Sequence, residues 1–163
     1  MIDSLVEDRF VVIDGRTWRR TDPSIPDKLR VELVAELMSA RRAVGAASTN
    51  GNREEEAAGR RRVHDAKVSL GERGTPWWDR TPEGDRSRAA CSVRALLWHR
   101  GPDRSVCPSD VARILGGSDW RAVMTLVREV ATAMEDEGEV AVTQNGTPAA
   151  RPWRGPIRLG LPG

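Results

Sequence analysis

The sequence predicts a mainly α-helical protein with small β elements: an N-terminal β-hairpin and helical hairpin, then a C-terminal winged helix-turn-helix. Apolar residues recur at helical spacing through the middle of the chain, and Asp-Gly and Asn-Gly pairs interrupt short alternating runs near its two ends. Residues 105–161 follow the order helix, turn, helix and two strands. We therefore predict a first module at 1–78, a linker at 79–86 and a winged-helix domain at 87–163.

Size and charge limit the classes of function. The chain has 163 residues, 39% of them hydrophobic and 31% charged, which suits one ordinary domain or two small ones. Its net charge is only +2, so no strong field would steer the whole protein to DNA. Lys28 and Lys67 are the only lysines among 26 basic residues, an arginine bias more typical of a GC-rich genome than of phosphate contacts.

No targeting or membrane segment is evident in the sequence. No apolar run approaches membrane-spanning length, and the N-terminal MIDSLVEDRF lacks the basic start and apolar stretch of a signal peptide. Two cysteines are too few for a disulfide framework or a zinc site. We therefore expect a cytoplasmic protein with no membrane partner.

The first predicted element is a hairpin in RFVVIDGRTWRR, turning at Asp14-Gly15, because Asp and Gly tolerate the positive φ of a two-residue turn. The proline-broken TDPSIP follows it, and Asp27 or Ser24 would cap a helix running to about Ala46. The apolar residues of this helix recur at i, i+4 and i+8, so we expect them to be buried: Leu29, Leu33, Leu37, Ala40 and Val44.

A second helix is predicted from about Arg53 to Leu70, with Ala58, Val63 and Ala66 also facing inward. The intervening STNGN is short, so the two helices should be antiparallel neighbours. The arginines at 60–62 suggest nucleic-acid binding. They follow three glutamates at helical spacing, however, which favours a solvated, ion-paired face.

The segment GERGTPWWDRTPEGDR is rich in Gly, Pro and charge and contains the predicted linker. Its Trp77 and Trp78 are either an exposed binding element or a pair that folds back over an apolar edge, and the second is favoured. His64 and His99 lack partner ligands or a nucleophile at any telling spacing.

Three helices are predicted in the C-terminal part. The first spans about Ser87 to His99 and faces the core with Ala90, Val93 and Leu97, and Leu96 is a further candidate. The second opens at Cys107-Pro108, since proline suits the first helical position, and stops at Gly116-Gly117. The third is capped by Ser118 or Asp119 and ends at Gly138.

The third helix has two distinct faces. Its core face carries five apolar residues: Val123, Leu126, Val127, Val130 and Met134. Its outer stripe consists of residue types that contact phosphates and base edges: Arg121, Thr125, Arg128 and Thr132. The acids at 135–137 would repel phosphate, so nucleic acid should meet only the first two turns. The low net charge favours the alternative, a merely solvated face.

Two alternating runs complete the predicted wing. Val140 and Val142 form one strand, and Ile157, Leu159 and Leu161 form the other. Their connection carries Arg151, Trp153 and Arg154 at its tip. This tip either reaches a minor groove or stacks on a base, or else lays Trp153 over the helical core with the arginines in solvent.

No constellation of residues indicates catalysis. The sequence has no Ser-His-Asp set, phosphate-binding glycine loop or metal-ligand spacing, so we predict no catalytic residues, metal or cofactor. Cys107 lies at a helix N-terminus, where a thiolate is favoured, but a lone cysteine is most often a small apolar residue. Redox sensing together with Cys91 is an open alternative.

Several short motifs carry a family resemblance over about 92–161. They are CPSDVAR at 107–113, DWR at 119–121, VR at 127–128, Gly138, TQ at 143–144 and RGPIR at 154–158. In these residues the chain resembles the bacterial family called domain of unknown function 3253, which implies a winged-helix-like fold and supplies no catalytic residues. The first part, with DGRTWRRTDPSIP and VHDAKVSLGERG, resembles an uncharacterised helical-hairpin module of actinobacteria.

The leading functional hypothesis is a non-enzymatic winged-helix protein that binds nucleic acid, in the first place DNA. We expect it to use Arg121, Thr125 and Arg128, with help from Arg151 and Arg154. The alternative is a protein-interaction adaptor without nucleic-acid binding, whose partner capture would be insensitive to Arg121 and Arg128. A small enzyme is the least favoured class, because no convergent set of polar residues is visible.

Overall fold

A computed structural model describes residues 8–163, so most of the N-terminal segment judged not to be a signal peptide lies outside the described residues. The predicted class is confirmed, with helices predominating over small antiparallel β elements. The elements are β1 Phe10–Ile13, β2 Arg16–Arg19, α1 Asp27–Thr49, α2 Arg53–Ser69, α3 Pro82–Arg100, α4 Pro108–Gly116, a 3-10 helix Gly117–Val123, α5 Met124–Asp136, β3 Ala141–Gln144, β4 Thr147–Pro148 and β5 Arg158–Gly160.

The predicted N-terminal hairpin is confirmed. β1 and β2 pair antiparallel around Asp14 and Gly15, whose φ angles of 50° and 75° are those of a tight hairpin turn. The tryptophans at 77 and 78 fold back onto it, as favoured from the sequence. Trp78 packs edge-on against Phe10 with ring centroids 5.4 Å apart, and the Trp77 indole N–H donates to the carbonyl of Arg20 at 3.1 Å.

Helices α1 and α2 form the predicted helical hairpin. Their close approach depends on Gly59, where a Cβ would lie only 2.8 Å from a methyl group of Val44. The predicted capping of α1 is wrong: Pro26 holds the cap position without a side-chain bond, and Asp27 is already helical. Ser24 binds the Asp22 carboxylate at 2.7 Å instead. α1 also continues beyond Ala46 to Thr49.

Helix α3 is central and begins inside the predicted linker. The Thr81 hydroxyl accepts the Gly84 N–H at 3.0 Å, and Pro82 fills the first helical position. Because glycine and proline are frequent near this start, the composition of the segment predicted a linker instead of the first turn of a helix. α3 packs against α1, α2, α4 and α5, and one hydrophobic cluster runs from Ile25 to Leu159. The division of the chain into two modules stays a prediction.

The third C-terminal helix begins later than expected. α4 starts after Cys107 and stops at Gly117 (φ 57°), as predicted, but residues 117–123 form a 3-10 helix that Asp119 interrupts with non-helical angles. The predicted caps, Ser118 and Asp119, are therefore wrong, and α5 has no side-chain cap. The tighter winding brings Val123 against Gly116, where a Cβ would meet its side chain at 3.3 Å.

The C-terminal strands form a three-stranded sheet in the order β4-β3-β5. Val142 pairs with Leu159, as the predicted wing requires, and Leu159 also exchanges backbone hydrogen bonds with Val106 ahead of α4. Leu161 lies beyond β5 and is exposed, so its predicted place in this strand is wrong. Between β3 and β5 lie residues 145–157, hereafter the β3–β5 connection.

Candidate nucleic-acid interface

Arg128 of α5 is bound to the β3–β5 connection. Its guanidinium donates to the carbonyl of Trp153 at 2.9 Å and to that of Gly155 at 3.3 Å. The side chain is half-buried, because these bonds hold it between the helix and the connection. The residue singled out as a phosphate contact therefore fixes the position of the loop beside the helix.

Arg151 is paired with the acidic end of α5. Its guanidinium donates to Glu135 at 2.8 Å and to Asp136 at 2.6 Å. Hydrogen bonding to Asp136 and Glu135 raises the pKa of Arg151 above its ordinary value. The acids that were expected to repel phosphate thus neutralise the nearest arginine of the connection.

Trp153 packs against the hydrophobic core and is half-buried. Of the two alternatives left open by the sequence, the structure has the one in which this ring covers the core. Its indole Nε1 is buried and has no hydrogen-bond partner among residues 8–163, and the Arg151 guanidinium lies 5.6 Å from the ring centroid.

Arg121, Thr125 and Arg154 are exposed, in contrast to Arg128 and Trp153. Arg121 lies in the 3-10 helix, one turn before α5, and Thr125 lies in the first turn of α5. Thr132, at the other end of the predicted stripe, donates to the carbonyl of Arg128 within the helix. The structure thus separates the stripe into an open first part and an internally bonded second part.

An arginine missed by the sequence analysis lies beside the open part and is itself half-buried. The Arg113 guanidinium of α4 lies 4.5 Å from the centroid of the Trp120 ring, and that of Arg121 lies 4.3 Å from the same centroid. Neither arginine has an ion pair within the described residues 8–163. Arg113 could be placed here only after the irregular turn between α4 and α5 was known.

The arginines at 60–62 differ from one another. Arg60 pairs with Glu56 at 2.7 Å, as the helical spacing predicted. Arg62 instead forms a bidentate pair with buried Glu36 of α1, at 2.8 and 3.1 Å, and lies 4.8 Å from the Trp98 ring centroid. The solvated-face interpretation is therefore wrong for Arg62, because side-chain spacing within one helix cannot reveal a partner on another.

The two thiols have different surroundings. Burial, with the Asp65 carboxylate close by, raises the pKa of the Cys91 thiol to about 12. Such a thiol is a poor nucleophile at neutral pH. Cys107 is half-buried, with its Sγ 3.0 Å from the Ser109 hydroxyl. Neither Cys91 nor Cys107 forms a disulfide.

Two further kinds of feature are absent from residues 8–163: a metal-binding cluster of side chains and a membrane-spanning helix. Among residues 8–163, no group of three His, Cys, Asp or Glu side chains has the arrangement of a metal site. Over the same range, no helix is both long and apolar enough to span a bilayer.

Comparison with known proteins gives one family match. The model of the family described as "Protein of unknown function (DUF3253)" matches residues 86–162, which contain the candidate interface. This match supports the resemblance found in the C-terminal motifs, and it does not extend to the first module. No curated protein sequence matches the chain.

Proposed function

We propose that the protein is a non-enzymatic winged-helix protein of the cytoplasm that binds duplex DNA. The supporting observation is the element order from α3 to β5. The Val106 bridge follows a first helix, then come α4, the turn, α5 and two paired strands, with the β3–β5 connection in the place of a wing. In such an arrangement the third helix and the wing approach the nucleic acid together.

The contacting residues are those that the fold leaves open. Arg121 of the 3-10 helix and Thr125 in the first turn of α5 are exposed, and so is Arg154 of the connection. Arg113 adds a further cation beside Trp120. Arg128 and Arg151 act indirectly in this proposal, because their bonds to Gly155 and Glu135 hold the wing in position.

Titration of a fluorescent duplex with the full chain at graded salt tests the proposal. We expect binding at low salt that weakens with a linear slope in log[salt]. Arg121→Ala should weaken binding to all sequences and reduce that slope by about 1. Arg53→Ala is a matched control, since Arg53 is an exposed arginine in the first turn of α2. Absence of duplex binding at low salt, or equal losses in the two variants, would remove the proposal.

A protein-interaction adaptor is a second candidate, favoured by one observation. The hairpin exposes Val12 to 68% and Ile13 to 54%, on opposite faces of its ribbon, and exposed apolar side chains can contact a protein partner. An adaptor should lose its partner in Ile13→Ser and retain it in Arg121→Ala. Duplex binding with the opposite pattern of variants would favour the DNA-binding proposal.

A further inference from the structure

An open groove of about 1450 Å³ lies between the β-hairpin and the α1–α2 pair, far along the chain from the candidate DNA interface. We infer that this hairpin groove binds single-stranded nucleic acid. The side chains that would contact the ligand line the groove from both sides: Ile13, Arg16 and Trp18 of the hairpin, and Arg41 and Lys67 of the helices. The inference does not depend on DNA binding by the C-terminal part.

The hairpin lines the groove with an aromatic and apolar face. Val11 pairs with Trp18, and Ile13 pairs with Arg16, so these four side chains share one side of the two-stranded ribbon. All four line the groove, and Trp18 is 43% exposed. An indole ring held on a strand and open to solvent is a platform on which a base can stack.

Lys67 of α2 contributes a largely buried cation to the groove, next to Trp18. The residue is only 8% exposed, and its ammonium lies 5.0 Å from the Trp18 ring centroid. The nearest carboxylate oxygen, on Glu72, is 3.7 Å away, and the other oxygen of that carboxylate already accepts the Thr21 hydroxyl at 2.8 Å. Glu72 and the Trp18 ring therefore compensate the buried ammonium only in part.

Neighbouring cations increase this imbalance. Burial, together with Arg41 and Arg73, lowers the pKa of Lys67, and Glu72 only partly opposes them. Arg16 and Arg41 line the groove together with Lys67, and neither arginine forms an ion pair among residues 8–163. A bound anion would supply a partner for these cations.

The shape of the cationic surface favours a polymer over a small anion. The groove is larger than the roughly 300–1,000 Å³ of usual small-molecule pockets. Arg41 also lines an adjoining hollow of about 270 Å³ together with Arg73, so cations continue past the groove. Phosphates spaced along a strand would meet these cations while a base stacks on Trp18.

Fluorescence anisotropy of the full chain with labelled oligo-dT and oligo-U of about 12 nucleotides tests the inference. We expect at least one of the two oligonucleotides to bind at low salt. A comparison of their affinities shows whether the groove prefers DNA or RNA. Trp18→Ala should weaken binding about tenfold through loss of stacking. Arg41→Ala should weaken it and reduce the salt slope by about 0.7.

Two matched variants make the result specific. Arg121→Ala should leave single-strand binding unchanged while it weakens duplex binding, and Arg53→Ala should change neither. Circular dichroism of each variant checks that the chain is folded. Loss of duplex binding with retained single-strand binding would remove only the C-terminal proposal.

Three results would overturn the groove inference. They are absence of single-strand binding at low salt, unchanged binding in folded Trp18→Ala and Arg41→Ala, and displacement of the oligonucleotide by poly-glutamate at equal charge concentration. The last result would indicate an acidic polypeptide as the occupant.

Discussion

The arginines around α5 and the cations of the hairpin groove differ in what they face. Arg128 and Arg151 are bonded to the carbonyls and carboxylates of their own domain. Arg16 and Arg41 line an open groove and form no ion pair within residues 8–163, and Lys67 lies in the same groove with a Glu72 carboxylate oxygen 3.7 Å away. Both regions are rich in the same residue type, so a count of arginines along the chain cannot distinguish them.

The difference shows where charge is structural and where it is available to a ligand. A paired cation stabilises the fold, and its removal leaves carboxylates or carbonyls without a partner. A cation among like charges contributes little to the stability of the fold or opposes it, and such a cation is available to bind an anionic ligand.

Asp22→Ala tests whether the groove end of the molecule also contains structural charge. Asp22 is 3% exposed and its carboxylate lies 3.0 Å from the guanidinium of Arg88, which is 5% exposed and also donates to the Ser69 carbonyl. Loss of the carboxylate leaves a buried cation uncompensated, and the free energy of unfolding in urea should fall by about 3–5 kcal/mol. A fall of less than about 1 kcal/mol would contradict a structural role for this pair.

Arg128→Ala tests the structural side of the comparison in the C-terminal part. Two charged hydrogen bonds to the β3–β5 connection would be lost, and the free energy of unfolding should fall by about 2 kcal/mol. Amide exchange should rise in residues 145–157. Arg154→Ala, at an exposed arginine of the same connection, should change stability by less than about 0.5 kcal/mol. Equal effects of the two variants would break the distinction.

Lys67→Met tests the other side, and here the sign should be reversed. The change removes a buried ammonium from the neighbourhood of Arg41 and Arg73 and keeps an apolar stem against Trp18. We expect the free energy of unfolding in urea to rise by about 1 kcal/mol, while single-strand binding weakens. If stability falls by the same amount, Lys67 is a structural cation and the groove resembles the α5 region.

Glu32→Gln should have the smallest effect, and only a pH-dependent one. Hydrogen bonding to Arg100, at 2.9 Å, holds the pKa of Glu32 below its ordinary value of 4.5. A folded pKa below the unfolded one adds stability above the unfolded value, and that stability is lost as pH falls through the folded pKa. The stability difference between wild type and Glu32→Gln should therefore shrink between about pH 6 and pH 3. A constant difference in urea titrations would contradict this linkage.

The helices and turns that depend on local spacing were predictable from the sequence. The Asp14-Gly15 turn, the start of α4 at Pro108 and the buried positions Leu29 and Leu33 all follow from neighbouring residues. The start of α5 was not predictable, because the 3-10 helix before it depends on packing of Val123 against Gly116 of α4. Arg121 was predicted within the third helix, but it lies in the 3-10 helix before α5.

The candidate sites divide in the same way. Arg121, Thr125 and Arg154 are open to solvent as expected, and their role in binding stays a prediction. The partners of Arg128 and Arg151 lie 15 to 27 residues away in the chain, and no local pattern reveals them. The hairpin groove joins side chains from residue 8 to residue 77, and it was therefore not visible in the sequence.

The mainly α-helical class, the hairpin turns and most core positions follow from the amino-acid sequence, because these depend on periodicity and on the φ preferences of individual residues. Which arginines are paired and which are available depends on the folded arrangement of the elements. A guanidinium reaches partners on other elements, and its electrostatic environment depends on burial and on charges brought together by folding. For this protein, that pairing separates the cations that hold the fold from those proposed to bind nucleic acid.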